Sequence, residues 1–324
     1  MADFEGTSGN DTFNGTETDE EITGLDGNDD LGGGAGDDII DGGKGNDTLR
    51  GGVGDDTLRG REGDDRFIDT GGGNDVMGGG DGANVYEIIR DGASNSDSVE
   101  VNGGSGTDTL TFTGNAANDA SIDVDLGKGD NSADITDAAH AVVEGGRGVD
   151  TLDVSVTQGG SIRGGGGNDV INAAIGADGY LALSLGAGDD RLTLNTDRGG
   201  EYRLSLNEGK AGAGKDVVTL DAPEGDADTV RIVAKHFSAG DSGDKFDFTG
   251  YLKSVLEHFR GSDNPFDSGH LRLVQTGDDA RLQIDIDGAA RDAHGWTDFI
   301  VFKDMDVDDL TAFNLGGYDP DAGA

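Results

Sequence analysis

From Gly6 to Glu87 the chain repeats one nine-residue unit, and GGAGDDIID (33–41), GGKGNDTLR (42–50) and GGVGDDTLR (51–59) follow one another without a spacer. A fixed short period confines the fold to a solenoid, because one unit cannot bury its apolar face alone and must stack on its neighbours. In register the turns begin at Gly6, Gly15, Gly24, Gly33, Gly42, Gly51, Gly60, Thr70 and Gly79, with Asp69 inserted before the eighth. The eighth position reads Phe13, Ile22, Leu31, Ile40, Leu49, Leu58, Phe67, Met77 and Tyr86, an unbroken apolar column. The sixth reads Asp11, Glu20, Asp29, Asp38, Asp47, Asp56, Asp65, Asp75 and Asn84. Glycines permit the tight turn and expose backbone carbonyls, while the sixth residue supplies a hard anionic oxygen. A short strand then points one apolar side chain inward. A solvated acidic linker would have no reason to keep nine apolar residues in phase.

The net charge of −43 excludes nucleic acid and anionic membranes as electrostatic partners and calls for cations. Sixty-one glycines make ordering expensive, and high charge with few aromatics is ordinarily a signature of disorder. Here the acids are phased, so bound metal can neutralise them. The absence of cysteine removes disulfides and thiolate metal sites. The first thirty residues contain no basic segment followed by an apolar run, so no cleavable signal peptide is expected. No stretch reaches the length of a membrane span.

The nine turns resemble the RTX (repeats-in-toxin, haemolysin-type calcium-binding repeat) family. The resemblance implies that six residues form a calcium-binding turn and three a strand, that two repeats make one coil, and that ions sit between turns n and n+2. Carried over residue by residue, the ligand pairs are Asp11/Asp29, Asp29/Asp47, Asp38/Asp56, Asp47/Asp65 and Asp56/Asp75. Glu20/Asp38 and Asp65/Asn84 depart from the pattern and are expected to bind weakly or not at all. Several Ca²⁺ ions per chain are the implied cofactor. Extracellular oxygen sites bind Ca²⁺ at roughly 10⁻⁴–10⁻³ M, far above resting cytosolic levels, so the expected location is secreted or cell-surface.

Beyond Glu87 the nine-residue period stops, but x-G-x-G-x-D recurs as GGSGTD (103–108), DLGKGD (125–130), GGRGVD (145–150), GGGGND (164–169), LGAGDD (185–190) and AGAGKD (211–216). Each turn opens a strand with alternating apolar residues, and a second strand follows about ten residues on. The spacing predicts a parallel β-solenoid with roughly twenty-residue coils over 88–233. A single column would run through Asp108, Asp130, Asp150, Asp169, Asp190 and Asp216, bridged by calcium. Asp turns that merely cap backbone N–H groups are the alternative.

From Ala234 the repeats end and aromatics rise. LRLVQTGDDARLQIDID (271–287) reads as a hairpin, TDFIVF (297–302) as a buried strand and VLEHF (255–259) as a short helix. A solenoid needs a terminal cap, and 234–324 can supply it. DKFDFTGY (244–251) and TDFIVFKDMDVDDLTAFNL (297–315) also resemble the C-terminal region of type I secretion substrates. That likeness implies an uncleaved export signal in roughly the last sixty residues and the type I secretion apparatus as a partner.

No catalytic constellation stands out. H-E-x-x-H zinc spacing and the G-x-S-x-G nucleophile elbow are both absent, and GDSG (240–243) lies in an acidic turn without placed partners. The expectation is a non-enzymatic, all-β protein: an RTX β-roll over 1–87, a β-solenoid over 88–233 and a β-rich cap over 234–324. The leading function is a structural or adhesive component of the cell surface or matrix, such as a biofilm or surface layer. It would act by self-association or by binding surface polysaccharide, and not nucleic acid. Two alternatives stay open. One is a secreted host-directed effector resembling the rhizobial nodulation calcium-binding protein; the other is a polysaccharide-modifying enzyme on the middle solenoid, by analogy of fold alone.

Overall fold

Two nine-residue repeats close one coil, so each strand hydrogen-bonds not to the next strand but to the one after it. Thus Glu21–Asp26 pairs in parallel with Ile39–Lys44, and Asp30–Ala35 with Thr48–Val53. The computed structural model describes all residues except 1–2, 91–96, 116, 118, 197–199, 207–213, 222–229, 257–258, 260–262, 289–294 and 322–324. These residues fall into two compact units, Met1–Arg163 and Gly164–Ala324. The sequence segment 88–233 is therefore divided between them.

In the first unit the single apolar column of the sequence becomes two, one on each face of the coil. One runs Phe13, Leu31, Leu49, Phe67, Tyr86, Leu110, Ala133. The other runs Ile22, Ile40, Leu58, Met77, Val101, Val124, Val143. Ile22, Leu31, Ile40, Leu49 and Phe67 have no exposed surface. Each such side chain contributes roughly 1.5–3 kcal/mol relative to exposure, which is the main favourable return on ordering so many glycines. Neither ladder breaks at Glu87. The coil widens instead, from 18 residues at Asp29–Asp47 to 24 at Asn84–Asp108 and 23 at Asp108–Asn131, then returns to 19 at Asn131–Asp150. The parallel register is kept across these wider coils.

The second unit continues the same construction. Val170–Ile175, Arg191–Leu194, Val217–Leu220 and Lys245–Asp247 pair in parallel on one face. Tyr180–Ala187, Glu201–Ser205 and Arg231–Lys235 pair on the other. The hairpin forms from Leu271–Thr276 and Asp279–Ile284. Thr297–Phe302 then pairs antiparallel with the hairpin and parallel with Arg231–Lys235, so the C-terminal segment closes this sheet. Phe237, Phe246 and Phe302 pack ring to ring beneath it, with centroids 5.0–5.6 Å apart. The helix lies at Thr249–Val255, earlier than expected; residues 257 and 258 of the VLEHF segment lie outside the described residues. Its buried face, Tyr251 and Leu252, begins immediately after the Lys245–Asp247 strand. The fold is thus an all-β parallel solenoid with a β-rich C-terminal cap.

Because the columns carry the packing, Leu49→Ala should destabilise the calcium-loaded protein by about 2–5 kcal/mol, as for other buried Leu-to-Ala changes. Val53→Ala, at a side chain 57% exposed, should stay within about 0.5 kcal/mol. Denaturant midpoints in excess Ca²⁺ measure both.

Candidate metal centre

Residue six of each turn binds the coils together with one carboxylate oxygen. In the first unit Asp11, Asp29 and Asp47 donate their backbone N–H to Oδ1 of Asp29, Asp47 and Asp65 at 2.8 Å. The row continues through Oδ1 of Asn84, Asp108, Asn131 and Asp150 at 2.8–3.0 Å. On the opposite edge Glu20, Asp38 and Asp56 donate to Oδ1 of Asp38, Asp56 and Asp75 at 2.8–2.9 Å. In the second unit Asp169, Asp190 and Asp216 donate to Oδ1 of Asp190, Asp216 and Asp244 at 2.8–3.1 Å. A shallower ladder runs beside these through residue five, with the N–H of Asn28 and Asn46 donating to Oδ1 of Asn10 and Asn28.

The second carboxylate oxygen is the chemically important one. Oδ2 of Asp29, Asp38, Asp47, Asp65, Asp108, Asp190 and Asp216 is buried and receives no hydrogen bond. A buried charge without a partner costs several kcal/mol, so each of these oxygens requires a proton or a cation. The turn's first glycine leaves room for one. A Cβ at Gly103 would lie 2.6 Å from Asp108 Oδ2 and 2.7 Å from Leu126 O. At Gly164 a Cβ would lie 2.5 Å from both Asp169 Oδ2 and Leu185 O, and at Gly24 it would meet Asp29 Oδ2 and Gly42 O. A carboxylate of one coil therefore faces a carbonyl of the next across a space that only glycine keeps open. Among the described residues no three acidic or imidazole side chains converge on one point. A bound cation must therefore take most of its ligands from carbonyl oxygens, which suits the 6–8 oxygen shell of Ca²⁺ and not the nitrogen and thiolate ligands of zinc. These residues fit calcium.

Burial also raises the carboxyl pKa values. It lifts Asp47 and Asp56 to about 7, with neighbouring aspartates of the same rows adding to the effect. Asp65 and Asp190 rise to about 6 and Asp216 to about 8 for the same reason. Asp38 and Asp108 are pushed upward as well.

Several turns answer their second oxygen from within the chain. Thr7 gives its N–H and hydroxyl to Asp11 Oδ2 at 2.6 and 2.9 Å. Glu20, expected to depart from the pattern, accepts from Thr16 and Thr18 at 2.6–3.0 Å, and these bonds hold its pKa below the usual range. At the ninth turn a Cβ on Gly79 would meet the Tyr86 hydroxyl and the Asn84 amide, so donors stand where a cation would. Asp244 Oδ2 accepts from Ser238 N at 2.7 Å, and Asn314 Nδ2 donates to Asp244 O at 2.8 Å, ending the row of the second unit.

Twelve of the aspartates singled out in the sequence occupy position six, but Asp130 does not. Asn131 takes that place, 3% exposed, with its amide donating to Gly129 O and Gly145 O. Asp130 sits one residue earlier, exposed, and accepts from Val149 N at 2.8 Å in the outer ladder. The frame is set by Gly127 and Gly129, whose φ values of +81° and +128° match Gly104 and Gly106 one coil back; counting from them yields Asn131. Two members were missed. Asp244 follows Gly240 and Gly243, a stretched form of the motif. Asp69, in sequence a mere insertion, is 2% exposed and ion-paired with Arg90.

The family model of the RTX calcium-binding nonapeptide repeat matches residues 5–40, 32–67 and 161–180. The last stretch holds Asp169, so the repeat signature reaches the second unit. Comparison with curated proteins gives no match.

The raised carboxyl pKa values carry a sign. These groups hold protons more tightly folded than unfolded, so their contribution to metal-free stability is present at low pH and is lost as pH rises through about 6 to 8. Metal-free protein should therefore show more strand by circular dichroism at pH 5 than at pH 8. Calcium added near pH 7 should release protons, measurable as buffer-dependent binding heats.

Proposed function

We propose that this RTX-type calcium-binding repeat protein is exported by a type I secretion apparatus, folds outside the cell as Ca²⁺ fills its turns, and serves without catalysis as a structural or adhesive component of the cell surface or matrix. The observation that carries the reading is the stacked set of buried carboxylate oxygens with no proton donor. Each is tolerable only once neutralised, and binding free energy available to the folded state alone becomes folding free energy. Weak oxygen sites of this kind fill at the roughly millimolar calcium found outside cells.

Export is supported by that difference in calcium and by the likeness of 244–251 and 297–315 to the C-terminal regions of type I substrates. Among the described residues no helix is long and apolar enough to cross a membrane. A structural role is supported by the carboxylate rows, whose position-six oxygens join coil to coil. Self-association and surface polysaccharide are the partners this role would use.

Circular dichroism should report coil in chelator and strand as Ca²⁺ rises toward about 1 mM; equal strand signal in both would defeat the reading. Asp47→Ala removes the acceptor of Asp29 N–H together with an unanswered oxygen, and it should raise the calcium midpoint several-fold. Asp123→Ala, exposed on Ser121–Asp125, should leave the midpoint in place. Equal shifts would mean that bulk charge, not the turns, controls folding. Electron microscopy with and without Ca²⁺ should show calcium-dependent sheets or filaments. Dispersed particles that conduct ions in planar bilayers would favour a host-directed effector instead.

A further inference from the structure

The second carboxylate row of the first unit stops abruptly. Asp38, Asp56 and Asp75 stack at position six, but the residues next in register are Val99, Ile122 and Ala141, all buried and apolar. The last carboxylate therefore meets a hydrocarbon column. At this junction the turn lacks its first glycine. Asp69 follows Ile68, the partner of Arg50, and so stands where Gly51 stands one coil earlier. Its side chain enters the space that the other turns keep open.

Into this place comes Arg90, whose side chain is 2% exposed. Its Nη1 donates to Asp69 Oδ1 at 2.9 Å and its Nη2 to Asp69 Oδ2 at 2.6 Å. Nη2 also donates to Asp75 Oδ2, the oxygen that corresponds to the unanswered Oδ2 of Asp38 two steps back in the row. One guanidinium thus answers three carboxylate oxygens from two residues, with the planar fork that such groups recognise.

We propose that Arg90 is a resident cation, held where the row would otherwise offer its last place to Ca²⁺, so that Asp75 takes no metal and the row ends there without one. The inference rests on the calcium reading of the turns given above. The other row uses neutral versions of the same device. Asn84 and Asn131 keep the ladder with Oδ1, while the Asn131 amide and the Tyr86 hydroxyl donate to carbonyls at 3.2–3.4 Å. Calcium demand in the first unit is concentrated in Asp29, Asp47, Asp65, Asp38 and Asp56, with Asp108 isolated between two asparagines. The Asp56/Asp75 pair implied by the repeat pattern is reduced to Asp56 alone.

The test counts bound calcium on the full chain by equilibrium dialysis and follows folding by circular dichroism. Arg90→Met should bind one more Ca²⁺ per chain than the parent at saturation. An unchanged count in a folded Arg90→Met overturns the inference. A parent that binds no calcium overturns the underlying reading instead. The combined variant Arg90→Met, Asp69→Asn, Asp75→Asn removes charge on both sides and should fold with the parental count. If it folds while Arg90→Met stays unfolded in saturating Ca²⁺, metal cannot replace the guanidinium and the proposal fails. If neither folds, Arg90 acts through packing and the proposal also fails.

Discussion

An aspartate that accepts a backbone N–H from the adjacent coil through one oxygen, and turns the other into a glycine-walled space, joins two requirements that are separate in most folds. The first oxygen fixes the distance and register between coils, since it can reach only the N–H one coil away, as Asp47 does for Asp29. The second oxygen is buried by the same act and carries a charge that water no longer screens. Where no donor of the chain answers that oxygen, as at Asp29 and Asp47, stacking the coils creates a demand for a proton or a cation.

The apolar interior alone gives each coil little. In the nonapeptide region a nine-residue repeat contributes one fully buried apolar side chain, such as Leu31 or Ile40, against several glycines whose freedom is lost. The wider coils of the first unit strike a different balance. Val99 and Val101, then Ile122 and Val124, bring two buried side chains per strand, and position six on that edge is itself apolar. Hydrocarbon replaces carboxylate where the strand is long enough to supply it. The charged and greasy stretches of one edge meet at Arg90, whose buried ion pairs with Asp69 and Asp75 stop an anionic stack from abutting hydrocarbon uncompensated.

The C-terminal segment solves the equivalent problem for the second unit. Asp244 is the last carboxylate of its row, and its second oxygen is satisfied by the Ser238 N–H in place of a cation. Asn314, fully buried, bonds Gly240 and the Asp244 carbonyl and brings Leu315 beside Phe246. The Thr297–Phe302 strand covers the Arg231–Lys235 edge, which would otherwise offer unpaired backbone groups to another chain.

The sequence by itself determined the repeat, its period and its division of labour. A residue type that recurs every nine positions must recur in space, so an apolar column and stacked aspartates could be read before any coordinate, while the pairing two strands on came from the resemblance to the RTX family. The hairpin read at 271–287 was legible from alternation around a glycine turn, and the strand at 297–302 from its apolar run. Tertiary structure decided what lay between periods. Gly127 and Gly129 place position six at Asn131, one residue past Asp130, and the stacking of Gly127 on Gly104 buries the amide there. Asp69 is an interruption in sequence but the partner of a guanidinium 21 residues away. Whether a carboxylate's second oxygen is left for a metal or answered by Thr7, Ser238 or Arg90 depends on the donors that folding brings beside its turn. Local pattern fixes where an anion will stand; which charge answers it is settled by the three-dimensional neighbours that folding supplies.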